Sequence, residues 1–187
     1  MQPVEMRVLV SGGSLVLRPY REDDEERQFE AVRVSIAEVG RWEDWCHAGY
    51  SPEDSRKWVE RCIEGWKSDT QFSFCLVEPE TGVYWGDCSL TELNRVHGFA
   101  NLGYWIRTDR VGRGAATAMA RAVARFGLEQ LALNRVEILA EVANLASQRV
   151  AEKAGAVREG VLRRRRFLRG AAQDTVMFSL IAGDLGE

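Results

Sequence analysis

The segment RVGRGAATAMARAVARF, residues 110–126, places two glycines and a run of very small side chains before a long helical pattern. Two cationic side chains, Arg110 and Arg113, bracket the first glycine. Unpaired amides at the start of a helix attract anions, and phosphate is the anion most often held there. The segment therefore predicts a phosphate-binding loop. The small residues that leave a ligand room to approach the backbone are Gly112, Gly114, Ala115 and Ala116.

Two familiar phosphate motifs do not fit this loop. A Walker loop needs G-x-x-x-x-G-K-[ST], and no Gly-Lys dipeptide precedes Ser or Thr in this chain. A dinucleotide fingerprint needs a third glycine where Thr117 stands. The pattern that does fit is x-x-x-G-x-A over residues 111–116, between a predicted strand and a predicted helix. The nucleotide hydrolases and dinucleotide oxidoreductases are therefore disfavoured.

Composition limits the class of protein further. The chain has 187 residues, 45% hydrophobic residues and a net charge of −3, which predicts one globular domain over 1–187 without a general attraction to nucleic acid. No apolar run is long enough to cross a bilayer, and the N-terminal residues lack a signal-peptide pattern, so we expect a cytoplasmic protein without a membrane partner. Neither the four cysteines nor the two histidines have metal-ligand spacing, and no metal is expected.

The elements that must position the loop follow from hydrophobic periodicity and cap signals. Residues 7–20 predict a hairpin around Ser-Gly-Gly, and Ser51, Pro52 and Asp54 predict the start of a helix over 51–66. Together the elements predict a mixed-sheet α/β domain with helices covering the sheet. The other predicted helices are 21–40, 114–131 and 144–155, and the other predicted strands are 71–79, 83–93, 100–108, 134–142, 157–170 and 174–182.

Five short motifs, in order across nearly the whole chain, resemble the GNAT N-acetyltransferase superfamily and its RimJ/RimL ribosomal-protein acetyltransferase-like branch. They are LVLRPYREDD (15–24), WGDCSL (85–90), ANLGYWI (100–106), VGRGAATAMARAVARFGLEQL (111–131) and NLASQRVAEKAGAVREGVLR (144–163). The resemblance implies a single-domain, mostly antiparallel sheet of about seven strands, split by two splayed parallel strands, with helices on both faces. It also implies a reaction, in which acetyl-CoA gives its acetyl group to a primary amine.

The same resemblance assigns the coenzyme-binding residues. Pantetheine would lie between strands 100–107 and 135–142, paired with main-chain groups there, and the diphosphate would lie on the loop before the long helix. Val111 stands where the superfamily often has Gln or Arg, a slot that contributes mainly its backbone. The coenzyme-binding set is Trp105, Ile106, Arg107, Val111, Gly112, Arg113, Gly114, Ala115, Ala116, Asn144 and Ser147.

The catalytic groups are only partly implied. The tyrosine that much of the superfamily uses to protonate the departing thiolate is replaced by Ala151, whereas the serine of the RimJ/RimL-like branch matches Ser147, three residues after Asn144. Asn144 is expected to hold pantetheine, to cap the following helix, or both. A glutamate common in relatives is replaced by Asn101, so the carboxylates left as candidates for a general base are Glu92, Glu141 and Asp87.

The acceptor is less well defined by the sequence. A lysine amine, with a pKa of about 10.4, is harder to deprotonate than an α-amine of about 7.8, so a chain without the usual tyrosine and glutamate favours the α-amine of a protein N-terminus. A small amine such as an antibiotic, amino acid or polyamine remains an alternative, as does a non-catalytic acyl-CoA-binding module. A homodimer is expected only from the resemblance. The expected acceptor-binding residues are Trp42, Trp45, Asn101 and Tyr104.

The run RRRRFLR, residues 163–169, places five arginines on one predicted strand and its end. A charged edge strand that resists pairing with other chains is the first interpretation. Recognition of an acidic acceptor is the second, and nucleic-acid binding is a distant third.

Overall fold

The computed structural model describes residues 4–186, and residues 1–3 and 187 of the expected 1–187 domain lie outside the described residues. Eight strands form one sheet in the order β1-β2-β3-β4-β5-β6-β8-β7, one strand more than the expected seven. Every neighbouring pair is antiparallel except β5 and β6, which run parallel. The expected mixed α/β fold is therefore confirmed. The strands are β1 (Met6–Val10), β2 (Gly13–Pro19), β3 (Phe72–Val77), β4 (Tyr84–Asn94), β5 (Phe99–Ile106), β6 (Arg135–Glu141), β7 (Val157–Leu168) and β8 (Ala171–Leu180).

Helices cover both faces of the sheet. Successive residues of a strand point to opposite faces, so neighbouring residues contact different helices. Trp105 packs with residues of the helices over 25–33 and 52–67, whereas Ile106 packs with residues of the helix over 115–129. All four cysteines are free and buried within the chain. The α-helices are α1 (Glu25–Arg33), α2 (Ile36–Val39), α3 (Pro52–Lys67), α4 (Ala115–Glu129) and α5 (Leu145–Ala154).

The predicted caps and breaks hold where they depend on local sequence. Ser51 Oγ accepts a hydrogen bond from the Asp54 amide, and the Asp54 carboxylate accepts one from the Ser51 amide, so α3 begins with a capping box.

The prediction of a single helix over 21–40 is wrong, because the chain breaks at Ser35. The buried Ser35 hydroxyl donates to the Ala31 carbonyl at 2.7 Å and accepts from the Thr108 amide at 3.1 Å. Ser35 therefore joins the end of α1 to the segment that follows β5.

None of the helices within residues 4–186 combines the length and the apolar character that crossing a bilayer requires.

Candidate active site

The two parallel strands separate after a short stretch of pairing. Their register runs from Phe99 with Arg135 to Asn101 with Glu137, and β5 then continues to Ile106 without a partner on that side. The described structure thus contains the expected cleft between β5 and β6.

Main-chain groups of β5 point alternately toward β4 and toward this cleft. The Arg107 amide donates to the Trp85 carbonyl at 2.9 Å, so Arg107 and, by alternation, Trp105 direct their main-chain groups toward β4. The main-chain groups of Tyr104 and Ile106 therefore face the cleft. The backbones of Trp105 and Ile106 are both expected to contact the coenzyme. Ile106 has the orientation required. The main-chain groups of Trp105 face β4 instead, and its indole packs on the α1 and α3 face of the sheet.

At the open end of the cleft lies the glycine-rich loop. Gly112 and Gly114 have φ angles of 78° and 81°, in the left-handed region that side chains other than glycine rarely adopt, and Gly114 is the N-cap of α4. Space is not what requires glycine, since a Cβ at either position would meet nothing within 4 Å. The loop is anchored from β1–β2, because the Ser11 amide donates to the Arg113 carbonyl at 3.0 Å.

The amides of this loop have no acceptors in the part of the chain that the structure describes. Among the described residues, no main-chain N–H from Val111 to Ala116 donates a hydrogen bond to backbone or side chain. They form a run of unpaired donors at the positive end of a 15-residue helix. Ala115 is buried in the core, so it can offer a ligand only its backbone, whereas Val111 is exposed.

Three cationic side chains surround the loop. The guanidinium carbons of Arg110 and Arg113 lie 5.5 and 5.4 Å from the centre of the buried Trp85 ring, so the indole positions both charges beside the loop. Arg107 is instead paired with Asp109, at 2.7 Å from Nε to Oδ1. Arg113, like the glycines beside it, is exposed.

On the other side of the cleft, α5 begins with Asn144 and Ser147. The Asn144 side chain accepts a hydrogen bond from the Ser147 amide at 3.1 Å, so the asparagine is a helix cap. The Tyr104 hydroxyl lies 2.9 Å from the Ser147 carbonyl oxygen, to which it donates, and 3.2 Å from Ser147 Oγ. Burial raises the pKa of Tyr104, with the hydrogen bond to Ser147 opposing the shift, so the phenol stays protonated at neutral pH. Tyr104 is one of the expected acceptor-binding residues. In the structure its hydroxyl contacts Ser147, the candidate acid.

The three candidate carboxylates occupy different environments. Glu92 is exposed and lies 3.7 Å from Arg165. Glu141 is buried, which raises its pKa, and the charge of Arg166 at 3.4 Å counteracts part of that rise. Asp87 is 5% exposed. Of the three carboxylates it alone lines the cavity between α1, α3 and the sheet.

A cavity of about 420 Å³ opens on the α1 and α3 face of β4 and β5. Aromatic rings form much of its wall: Trp45 packs edge-on to Trp105, with ring centres 5.5 Å apart, and to Tyr50. Tyr104 reaches the same cavity, whereas Trp42 and Asn101 of the expected acceptor residues do not line it. The sequence also missed several lining residues, chiefly Gln28, His47, Lys57, Trp58 and Arg61, because they come from helices and loops whose packing no local pattern reveals.

The arginine run contacts the loop that carries Glu43 and Trp45 of the cavity wall. Arg166 donates to Glu43 at 2.6 Å and to Glu141 at 3.4 Å, so it bridges the α2–α3 loop and the end of β6. Arg169 donates through its guanidinium to the Gly40 carbonyl, and its amide donates to Asp44. The run therefore fixes the loop beside the cavity at two points. Four of its five arginines also lie on β7, an edge strand of the sheet, as the first interpretation expects.

A sheet split between two parallel strands, with free amides at a helix N-terminus on one side and a cavity on the other, is the arrangement of an acetyltransferase. The model of the acetyltransferase (GNAT) domain family matches residues 14–157, and the chain belongs to this family. The donor that this family uses is acetyl-CoA, and the chain is an N-acetyltransferase.

Curated relatives place the chain in the RimJ/RimL-like branch. It is 30% identical over 172 residues to YdaF of Bacillus subtilis, named provisionally as a ribosomal N-acetyltransferase, covering 89% of this chain and 91% of that protein. It is 25% identical to the ribosomal-protein-serine acetyltransferase of Escherichia coli, covering 74% and 76%.

Solved structures share the fold over most of the chain. A structure from Vibrio cholerae described as a ribosomal-protein-serine acetyltransferase is 26% identical, with a TM-score of 0.79 and coverage of 94% and 97%. RimJ of Mycobacterium smegmatis, solved with a CoA disulfide, has a TM-score of 0.85 at 21% identity, with coverage of 100% and 93%. The second likeness supports the fold alone.

Proposed function

We propose that this enzyme acetylates the α-amine of a protein N-terminus. The observation that carries the proposal is the position of the β5–β6 cleft between two binding regions, the loop amides of residues 111–116 and the aromatic cavity. The names of the relatives from Bacillus subtilis and Escherichia coli, which refer to ribosomal substrates, support a protein acceptor.

In this proposal the loop holds the coenzyme. The free amides between Gly112 and Ala116 bind the diphosphate, and Arg113 adds a charge-assisted contact. The Ile106 amide donates to the thioester oxygen and stabilises the negative charge that develops there. The unpaired amides and the open space around both glycines fit such a ligand.

Ser147 then supplies the proton for the leaving group. Its hydroxyl lies within 3.2 Å of the Tyr104 phenol, which holds it in place at the first turn of α5. A proton passes from Ser147 Oγ to the coenzyme sulfur as the C–S bond breaks. Asn144 fixes the first turn of α5 and with it the position of Ser147.

A small amine is a second candidate, favoured by one observation. The cavity of about 420 Å³ lies within the size range of small-molecule sites, roughly 300–1,000 Å³. The two candidates share every residue assigned to the coenzyme.

The test is release of free thiol from acetyl-CoA with a panel of acceptors. The panel contains peptides with free N-termini, the same peptides blocked at the N-terminus but carrying a lysine, aminoglycosides and polyamines. We expect peptides with free N-termini to be acetylated with the highest kcat/KM. Greater kcat/KM on a small amine would overturn the choice of acceptor, and thiol release no faster than without acceptor would overturn both.

A further inference from the structure

The cavity wall contains one buried carboxylate, Asp87, to which the proposed function assigns no role. Asp87 lies on β4 directly opposite Trp105 of β5, one residue from Ile106, whose amide faces the cleft. It is buried but lines the cavity wall. A carboxylate in this position is therefore next to the point where an acceptor in the cavity would meet the thioester.

Hydrogen bonds hold this carboxylate in place at the cavity wall. Asp87 Oδ2 accepts from the Tyr20 hydroxyl at 2.6 Å and from the Tyr84 hydroxyl at 3.1 Å. Trp58 in turn donates its indole N–H to Tyr20 Oη at 3.1 Å. The indole N–H groups of Trp105 and Trp58 also act on the carboxylate and lower its pKa. The orientation of Asp87 is therefore fixed beside the space that an acceptor would occupy.

The groups packed around Asp87 are neutral at physiological pH. Burial raises the pKa of Tyr20 and Tyr84, and it raises the pKa of the nearby thiols Cys62 and Cys75 as well. Burial also raises the pKa of Asp87, while the donated hydrogen bonds lower it. The other buried carboxylate near these groups, Asp24, lies 3.7 Å from Cys75 Sγ and is paired with Arg18. The charged or titratable side chains elsewhere on the cavity wall are Glu43, His47, Asp54, Lys57 and Arg61.

Most of these wall groups already have partners of their own. Arg166 pairs with Glu43, and the Ser51 amide and hydroxyl donate to Asp54. Lys57 lies 3.4 Å from Glu53, and His47 accepts from the Gly49 amide. A cation that enters this aromatic cavity would therefore find its counter-charge at Asp87, with the rings of Trp45 and Trp105 nearby.

We propose that Asp87 is the catalytic residue that binds the ammonium group of the acceptor and accepts its proton. This inference rests on the proposed function. One ammonium proton moves to the Asp87 carboxylate, which leaves a lone pair on nitrogen, and Asp87 later releases that proton to solvent. That lone pair forms the C–N bond with the thioester carbonyl carbon, and the C–S bond breaks with its electron pair going to sulfur. After the C–N bond forms, the nitrogen loses a second proton. That proton goes to Ser147 Oγ and replaces the one that Ser147 gives to sulfur.

The test compares Asp87→Asn with Tyr84→Phe. Both changes disturb the same hydrogen-bond cluster, but only the first removes the proton acceptor. For an N-terminal peptide at pH 7, we expect Asp87→Asn to lower kcat/KM about 100-fold, a typical effect of losing a general base. The loss should shrink as pH rises past the pKa of the peptide α-amine. Tyr84→Phe keeps the proton acceptor but removes a hydrogen bond that lowers the Asp87 pKa, so it should move the rising limb of kcat/KM to higher pH and retain most of the activity above it. A loss of the same size at every pH, or a loss under threefold, would overturn the inference.

A measurement on the wild-type enzyme covers the case in which Asp87→Asn does not fold. Two peptides that differ only in an N-terminal alanine or β-alanine present amines of different basicity. If Asp87 accepts the proton, the rising limb of kcat/KM against pH lies at the same pH for both peptides. A rising limb that follows the pKa of the amine would contradict the inference, while acetylation of both peptides would leave the proposed function intact.

Discussion

The hydroxyl of Tyr104 lies 2.9 Å from the main-chain oxygen of Ser147 and 3.2 Å from its Oγ, and so joins strand β5 to helix α5 across the cleft. The two residues are 43 positions apart in sequence. This contact places the candidate acid on a fixed support next to the free end of β5.

Ser147→Ala should lower kcat about 100-fold on the preferred acceptor, since it removes a proton donor for the thiolate. The KM for acetyl-CoA should change little, because the Asn144 cap accepts from the main-chain amide of residue 147 and keeps α5 in place. Steady-state kinetics at saturating coenzyme measure both effects. An unchanged kcat would eliminate Ser147 as the acid.

Tyr104→Phe should have a smaller effect on the same step. Loss of one hydrogen bond is worth about 0.5–1.5 kcal/mol, which corresponds to a decrease in kcat of roughly two- to twelvefold. If the phenol acts only through Ser147, the double variant with Ser147→Ala should be no slower than Ser147→Ala alone. Multiplied effects in the double variant would show that the two residues act independently.

Gly114→Ala should weaken coenzyme binding roughly 5- to 30-fold, because the left-handed N-cap that orients the loop amides becomes strained by about 1–2 kcal/mol. Gly170→Ala is a matched control, with a φ of 76° and open space around it on the β7–β8 turn. Both variants should lose thermal stability to a similar degree. Calorimetry should show weaker coenzyme binding for Gly114→Ala alone, and equal binding by both variants would count against the loop as the diphosphate site.

Arg166→Gln should raise the KM for the acceptor about fivefold, since it removes charge-assisted contacts that hold the α2–α3 loop against the cavity. The coenzyme dissociation constant should stay the same. Arg163→Gln is the control, because Arg163 is exposed on the same strand and forms no ion pair among the described residues. If both variants raise the acceptor KM equally, the effect comes from the total charge of the strand and not from the bridge.

Asp24→Asn should lower the free energy of unfolding by about 3–5 kcal/mol, because it leaves Arg18 buried without its counter-charge. Arg18 donates to both carboxylate oxygens of Asp24 at 2.7 Å. Urea denaturation at pH 7 measures the loss. Asp23→Asn, at an exposed neighbouring position, should change the stability by less than about 0.5 kcal/mol.

The same pair predicts acid sensitivity. Burial alone would raise the pKa of Asp24, but hydrogen bonds from Arg18 and Arg21 hold it below its ordinary value. A carboxylate with a lowered pKa contributes stability above its unfolded pKa and loses it as pH falls through the folded pKa. The wild type should therefore lose stability from about pH 5 downward, and Asp24→Asn should show a smaller slope in that range.

Local sequence was sufficient for the features whose causes lie within a few residues. Residues Gly112 and Gly114 before a run of alanines indicated the phosphate-binding loop, and Ser51 with Asp54 indicated the start of α3, because cap and turn geometry depend on near neighbours. The family motifs added the split between β5 and β6.

Only the tertiary structure decided which side chains meet in the cavity. Asp87 lies on β4, Trp58 on α3 and Tyr20 directly after β2, far apart in sequence, and Arg166 reaches Glu43 across 123 positions. Such contacts depend on strand register and on how helices pack on the sheet, which the periodicity of a segment does not encode. The sequence therefore determined the glycine-rich loop on the proposed coenzyme side, while packing determined the cavity on the proposed acceptor side.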